Sequence, residues 1–406
     1  MNSEKIFDIA LGLVAPWNVK EIKLEVSKKK ALHIYIGYSE CNSFKSERGK
    51  SLIYDHLDRT WKHLNFFEHE CYIHCSVPRV LDSNKKPKQV PVPWAREGSG
   101  FTLMFEAFSM CLIEREMPVN KVAEVLSVYA NRIRTIFNYW ISIAYTEADH
   151  SKITKLGIDE TSSKKGHEYI TIAVDMEQNR TIHATVGKGA DTIEKIADYL
   201  ETKGSTREQI EEVCIDLSPS FISGTMTQFK QAAIIFDRFH VKQLLNRAMD
   251  EVRKSEYKQH AILKGHKYTF LKSNENLTSR QIKEANELIT LLPIIGEAYR
   301  LKQLFDDFWE MKDEQEAQGF LAYWSDLVYE SKIQPLIKFV ATLKTHWYGI
   351  ANYTKYKISN GILESINSKV QLAKKRARGY TNKDNFINMI YFLTGKLNYN
   401  YPHYLT

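Results

Sequence analysis

A chain of 406 residues with a formal net charge of +7 has room for two to four domains of ordinary size, roughly 100–200 residues each. The cationic excess suits an anionic partner, and five cysteines (Cys41, Cys71, Cys75, Cys111, Cys214) are too few and too odd for a disulfide framework, which points to a reducing cytosol. The N-terminal apolar run IFDIALGLVAPW is broken by Asp8 and too short to span a bilayer, so a cytoplasmic protein with no membrane partner is expected.

Residues 1–98 read as a small mixed module with strands at Glu21–Val26, Ala31–Tyr38, Glu70–Arg79 and Gln89–Pro93. Cys71-x3-Cys75, with His69 and His74 nearby, invites a zinc reading. Zinc modules use two tightly spaced ligand pairs, however, and Cys41 stands alone, so a cysteine pair packed in a small core is expected instead. Over 99–150, an apolar-periodic helix at Phe101–Glu116 is followed after Pro118 by a helix-turn-helix pattern. Ala123 sits where the two helices approach, Ser127 sits at the turn, and Val122, Leu126, Val128, Ile133 and Ile136 lock the pair. The second helix then offers Asn131, Arg132, Arg134 and Thr135 to base edges and phosphates.

The periodicity changes over 151–240. ITKLGIDE is a strand ending on Asp159 and Glu160. After a basic turn at Lys164 and Lys165, EYITIAVD and RTIHATVG continue as a meander. A helix at Thr192–Lys203, a strand ending on Asp216, a helix at Pro219–Lys230 and a strand ending on Asp237 complete the order β-β-β-α-β-α-β. This is the ribonuclease H-like order: an α/β core with a mixed five-stranded sheet. Residues 241–357 read as an α-helical insertion in which Trp309 and Trp324 are core.

The final part, 358–406, returns to the core with Ser359–Gly379. Asn360 is a suitable N-cap, and Ile362, Ile366, Val370, Ala373 and Ala377 form an apolar face. Glu364 lies off that face, in line with Asn367, Ser368, Gln371, Lys375 and Arg378, and a last helix begins near Asn385. Lys374, Lys375, Arg376 and Arg378 are candidate phosphate contacts. Asp159, Asp216 and Glu364 fall where this fold brings distant carboxylates together. Three such groups repel unless cations bind, so they are expected to hold two Mg²⁺ ions (Mn²⁺ could substitute) about 3.5–4 Å apart for phosphodiester displacement. Asp237 is the rival second acid. Asp237, Arg238 and His240 could border the site, and Glu160 should point to the opposite side of its strand.

LGIDE, VCIDLSPS, IIFDRFHV and ISNGILESINSKVQLAKKRARGY, with HLNFFEHECYIHCSVPRV and VPVPWAREGSGFTLMFEA before them, resemble the ISL-three family of bacterial insertion-sequence transposases over nearly the whole chain. The resemblance implies a DDE transposase with an N-terminal zinc-binding module, a helix-turn-helix and a ribonuclease H-like core carrying a helical insertion. By motif its acids are Asp159 in GIDE, Asp216 in CIDLS and Glu364 in NGILE. It also implies double-stranded DNA partners (terminal inverted repeats and target), a homodimer or larger assembly, and a nucleoid-associated protein. The family's N-terminal Cys pairs are missing: YSECNSF and VLDSNKK retain at most Cys41, which leaves zinc in doubt. A regulator that binds DNA without cutting, and a structure-selective nuclease on the same fold, are the alternative readings.

Overall fold

A computed structural model describes residues 3–26, 30–39, 43–46, 49–164, 168–272, 276–357 and 361–401. The chain divides into two compact units: 1–144 with 398–406, and 145–397.

The first unit opens with α1 (Ser3–Ala10) and a sheet of β1 (Trp17–Glu25), β2 (Ala31–Tyr38), β3 (Ser43–Ser46), β4 (Gly49–Phe66), β5 (His69–Leu81) and β6 (Pro87–Gln89). The sheet runs β1-β2-β5-β4-β3, with β6 paired to β5; only the β2–β5 pair is parallel. Period-two alternation buries Leu32, Ile34 and Ile36 of β2 with Cys71, Ile73, Cys75 and Val77 of β5. Both cysteines are therefore core residues, and burial pushes each thiol up to about 12. His74 lies on the opposite face, bonded to His33 and Thr60. Cys41 lies outside the described residues. The long strand β4 has no counterpart in the sequence reading, because its segment is dense in charged and polar residues and its apolar alternation is weak.

Three helices follow: α2 (Leu103–Glu114), α3 (Val119–Val125) and α4 (Ala130–Glu147). Thr102 caps α2 by accepting from the Phe105 N–H, and Ser127 takes a left-handed φ of 52° in the turn between α3 and α4. Val122, Ala123, Ile133 and Ile136 are buried as expected, while Leu126 and Val128 are half-buried. A buried carboxylate ties this unit's loop to its helices. Glu106 accepts from Arg96 Nε (2.9 Å), Ser99 Oγ (2.6 Å) and Trp140 Nε1 (2.9 Å).

In the second unit β7 (Lys155–Ser162), β8 (Tyr169–Asp175) and β9 (Arg180–Val186) form an antiparallel meander. After α5 (Ala190–Thr202) comes β10 (Glu212–Ile215), parallel to β7. After α6 (Pro219–Gln228) comes β11 (Ala233–Phe236), parallel to β10. The resulting order is β11-β10-β7-β8-β9. Leu156 and Ile158 of β7 share a core with Ile193, Ile196 and Leu200 of α5, while Gly157, between them, faces the other way.

Helices α7 (Arg238–Tyr257), α8 (Lys267–Leu271), α9 (Ser279–Leu291), α10 (Pro293–Leu304), α11 (Glu314–Ser331), α12 (Gln334–Thr345) and α13 (Trp347–Tyr356) follow. Their core stacks Phe305, Phe308, Trp309, Trp324 and Phe339, so both tryptophans are interior; Trp324 Nε1 donates to Leu301 O at 2.9 Å. Gly349 of α13 lies flat against the Phe236 ring, and Asn352 Nδ2 donates to Ile234 O at 2.8 Å, which seats α13 on β11. Then α14 (Gly361–Arg376) lies against β7, and α15 (Lys383–Thr394) lies against β9 through Thr394–Thr181 and Tyr391–Ala184 bonds. No helix among the described residues is long and apolar enough to cross a membrane.

Candidate active site

Strands β10 and β11 end at one edge of the sheet, while their parallel neighbour β7 runs past Asp159 and Glu160, the expected strand end, to Ser162. Gly157 pairs with Cys214 and Ile215 pairs with Phe236, so Asp159, Asp216 and Asp237 fall at one level just beyond those pairs. Each carboxylate is held locally. Asp159 Oδ1 accepts from Glu160 N–H at 2.7 Å, and Asp216 Oδ1 accepts from Ser218 N–H at 2.9 Å as α6 begins. Asp237 caps α7 by accepting from Phe239 N–H, and its Oδ2 lies 3.2 Å from His240 Nδ1.

The electrostatics follow from this crowding. Burial, reinforced by the Asp237 and Asp216 carboxylates, pushes the Asp159 carboxyl up to about 6, against the pull of the Glu160 N–H and His240. Burial also raises Asp216, with Asp237 adding to the shift and Ser218 N–H and His240 opposing it. The bond to Asp237 raises His240; burial opposes that, while the Asp159 and Asp216 carboxylates add to it. The structure thus brings Asp159, Asp216, Asp237 and His240 into one electrostatic group. Glu160 is half-buried and raised chiefly by desolvation, with Lys188 opposing and Asp216 reinforcing. Arg238 turns away from this group and lies over the Trp309 ring at 5.3 Å.

Helix α14 reaches the strand from the other side. Leu363 packs at Gly157, Asn367 Nδ2 donates to Asp159 Oδ2, Gln371 Nε2 donates to Thr161 Oγ1 (2.7 Å), and Lys374 Nζ donates to Ser162 O (2.6 Å). These positions share a helical face; the first three meet the alternate residues Gly157, Asp159 and Thr161 of β7, and Lys374 meets the carbonyl of Ser162. The apolar face is accordingly rotated from the expected one: Leu363, Ile366 and Val370 are buried, whereas Ile362 is only half-buried. Glu364 is exposed one turn before Asn367, on the flank of that face. Lys374 is committed to a strand carbonyl, whereas Lys375, Arg376 and Arg378 are exposed where the helix ends at left-handed Arg378 and Gly379. Asn360 lies outside the described residues.

Sequence reasoning missed the inward role of Asn367 and Gln371, and it missed Gln243 and Arg247. Those two line a cleft of about 220 Å³ with Asp216, Leu217, Ser218, His240 and Leu244. The i, i+3, i+7 spacing of His240, Gln243 and Arg247 on α7 was the available signal. On the helix-turn-helix, Asn131, Arg132 and Thr135 are exposed. Arg134 is half-buried and donates to Asn120 Oδ1 at 2.9 Å, and the Arg132 guanidinium lies 5.0 Å from the Phe101 ring centre. Among the described residues, no three His, Cys, Asp or Glu side chains stand close enough together to hold a metal ion.

The second unit thus carries a meander followed by two parallel strands with acids at one edge, and the first unit carries a helix-turn-helix. Residues 156–390 match the family model described as a transposase, of the DDE type of ISL3 elements, and residues 90–141 match the helix-turn-helix domain of transposase family ISL3. The chain belongs to the ISL3 family of insertion-sequence transposases. Among curated relatives, the transposase for insertion sequence element IS1557 of Mycobacterium tuberculosis is 25% identical over 352 residues, covering 79% of this chain and 78% of that protein. The transposase for insertion sequence element IS1001 of Bordetella parapertussis is 25% identical over 276 residues, covering 66% and 68%.

Proposed function

We propose that this transposase binds the terminal inverted repeats of its element, cleaves at the element ends and joins the freed 3′ ends to target DNA. The observation that carries the reading is the alignment of Asp159 and Asp216 on neighbouring parallel strands, with the Glu364 helix bonded to Asp159 through Asn367. The strand order supports a ribonuclease H-like core over 151–240 and 358–406, with 241–357 as a helical insertion between β11 and the glutamate helix.

Asp159, Asp216 and Glu364 are the residues that would hold divalent magnesium, with manganese as a substitute. The donors suit such an ion in kind, being hard carboxylate oxygens, two of them ionised only at a cost in their buried setting, but among the described residues three of them are not brought close enough together to hold it. Bound there, the cations would supply Lewis-acid activation of the attacking oxygen and stabilisation of the leaving one. Asp237 is spent on capping α7 and on pairing with His240, which favours Asp216 as the second acid. His240, raised by that pair, would offer a donor to the scissile phosphate. Lys375, Arg376 and Arg378 would contact phosphates along the helix end, and Lys374 would brace the helix instead. Asn131 and Arg132 on α4 would reach base edges, with Arg134 steadied by Asn120. The 1–98 module and the 99–150 helix-turn-helix would recognise the element ends. Holding two ends at once calls for a homodimer or larger assembly.

The test is a duplex carrying the element's end against a scrambled duplex, with Mg²⁺ or with EDTA. Cleavage confined to the end sequence and to Mg²⁺ is expected. Equal cleavage of both duplexes would favour a structure-selective nuclease, and binding of the end without cleavage would favour a regulator.

A further inference from the structure

The first unit contains a cavity of about 580 Å³, inside the range of about 300–1,000 Å³ typical of small-molecule sites. Ile34, Cys71 and Ile73 line it from the core face of the sheet, Phe7 and Leu11 from α1 and the turn after it, and Met104 from the first turn of α2. The ring of Phe66, another lining residue, lies 5.5 Å from that of Phe7. Among the described residues, no Asp, Glu, Lys or Arg lines the cavity. Its polar chemistry lies with His63 of β4 and with Thr102, the N-cap of α2. Thr102 is buried; its Oγ1 accepts from Phe105 N–H at 3.3 Å and stands 2.8 Å from His63 Nδ1. The hydroxyl has no other acceptor among the described residues, so it donates to Nδ1. Burial pushes the imidazole down to about 4, and a neutral ring that accepts at Nδ1 carries its proton on Nε2. That N–H has no protein partner among the described residues.

We propose that this cavity binds a neutral, largely aromatic small molecule carrying one hydrogen-bond acceptor, to which His63 Nε2 donates. The lining dictates each part of that description. Without an acidic side chain a cationic ligand has no counter-charge, and without Lys or Arg beside a neutral imidazole an anionic one has none either. One free N–H matches one ketone, ester or amide oxygen. Ile9, Phe66 and Met104 line the cavity and are exposed, so an entering ligand covers apolar surface that otherwise meets water. The hydrogen-bond chain then runs from the ligand through His63 to Thr102, which caps the helix preceding the helix-turn-helix.

The experiment is a fluorescence titration of the full chain with prodan, a neutral naphthyl ketone whose emission moves to shorter wavelength away from water. Dimethylaminonaphthalene, the same ring without the ketone, is titrated beside it. The variants are His63→Phe, which keeps a ring and removes the donor, and Ala10→Trp, which fills the cavity from an exposed lining position. Thermal melts check that each variant is folded. The native chain should bind prodan with a blue shift, and the ring without the ketone about tenfold more weakly. His63→Phe should erase that preference, and Ala10→Trp should weaken both ligands. Absence of blue-shifted binding, or binding unchanged in Ala10→Trp, would overturn the site. Equal affinity of the native chain for the two ligands, a comparison that needs no variant, would overturn the role of His63, as would a ketone preference that persists in His63→Phe.

Discussion

Asp159 and Asp216 stand at one level on adjacent parallel strands because Gly157 and Cys214 are paired two residues before them. Their carboxylates are crowded and desolvated, which makes the site expensive to keep ionised without a cation.

Asp159→Asn should therefore stabilise the metal-free protein. The substitution keeps the shape and one of the two acceptors, which serve Glu160 N–H and Asn367 Nδ2, while removing a charge that burial disfavours. A gain of about 1–3 kcal/mol is expected from denaturant melts in EDTA near pH 7.5. Cleavage should be lost at the same time. A fall in stability would mean that Asp159 is not strained in the native state.

Gly157→Ala should loosen the glutamate helix. A Cβ there meets Met176 Sδ and stands 3.0 Å from Leu363 Cδ2, so the Met176 and Leu363 side chains must give way and the packing of α14 on β7 is disturbed. Overpacking of this kind costs about 1–3 kcal/mol. Activity should fall further than stability, because Leu363 is the neighbour of Glu364. Comparing melts with cleavage rates separates the two effects.

Glu106→Ala should damage the first unit. The buried carboxylate receives Arg96, Ser99 and Trp140 together, and its removal leaves the Arg96 guanidinium and the other two donors without their acceptor. A cost of about 3–5 kcal/mol is expected for breaking a buried charged pair. Trp140 fluorescence during denaturation reads it directly. An unchanged midpoint would remove the network from the account of how residues 90–101 are fastened to the helices.

His150 and His183 predict acid sensitivity of the second unit. Burial pushes both imidazoles down to about 4, from an ordinary value of 6.5; the Arg180 and Lys203 charges add to the shift of His150. Between about 6.5 and about 4 the unfolded chain takes up protons that the folded chain refuses, so stability falls as pH falls through that window. Each histidine contributes a slope of up to about 1.4 kcal/mol per pH unit. Denaturant melts at pH 7 and pH 5 should differ, and His183→Gln should shrink the difference.

Much of this arrangement was legible in the chain. The strand–helix alternation from Ile153 onward follows apolar runs that end on Asp159, Asp216 and Asp237, and Trp309 and Trp324 read as core because they recur at helical spacing. Other parts were hidden for physical reasons. Strand β4 carries charges and polar groups along much of its length, so its weak alternation announces no strand. On α14, polar side chains meet the sheet: Asn367 and Gln371 looked solvent-facing because their partners, Asp159 and Thr161, lie more than two hundred residues earlier. A register between distant elements is set by tertiary packing, which a local pattern does not encode.

The central claim is that Glu364 completes a three-carboxylate site. Its most direct test is strand cleavage and joining on a duplex carrying the element's end, in Mg²⁺, for the native chain and Glu364→Gln. The substitution keeps size and removes charge at an exposed helical position, so folding and end binding should be retained. Loss of both cleavage and joining with binding intact is the predicted result. Cleavage and joining at native rates would contradict it and remove Glu364 from the chemistry.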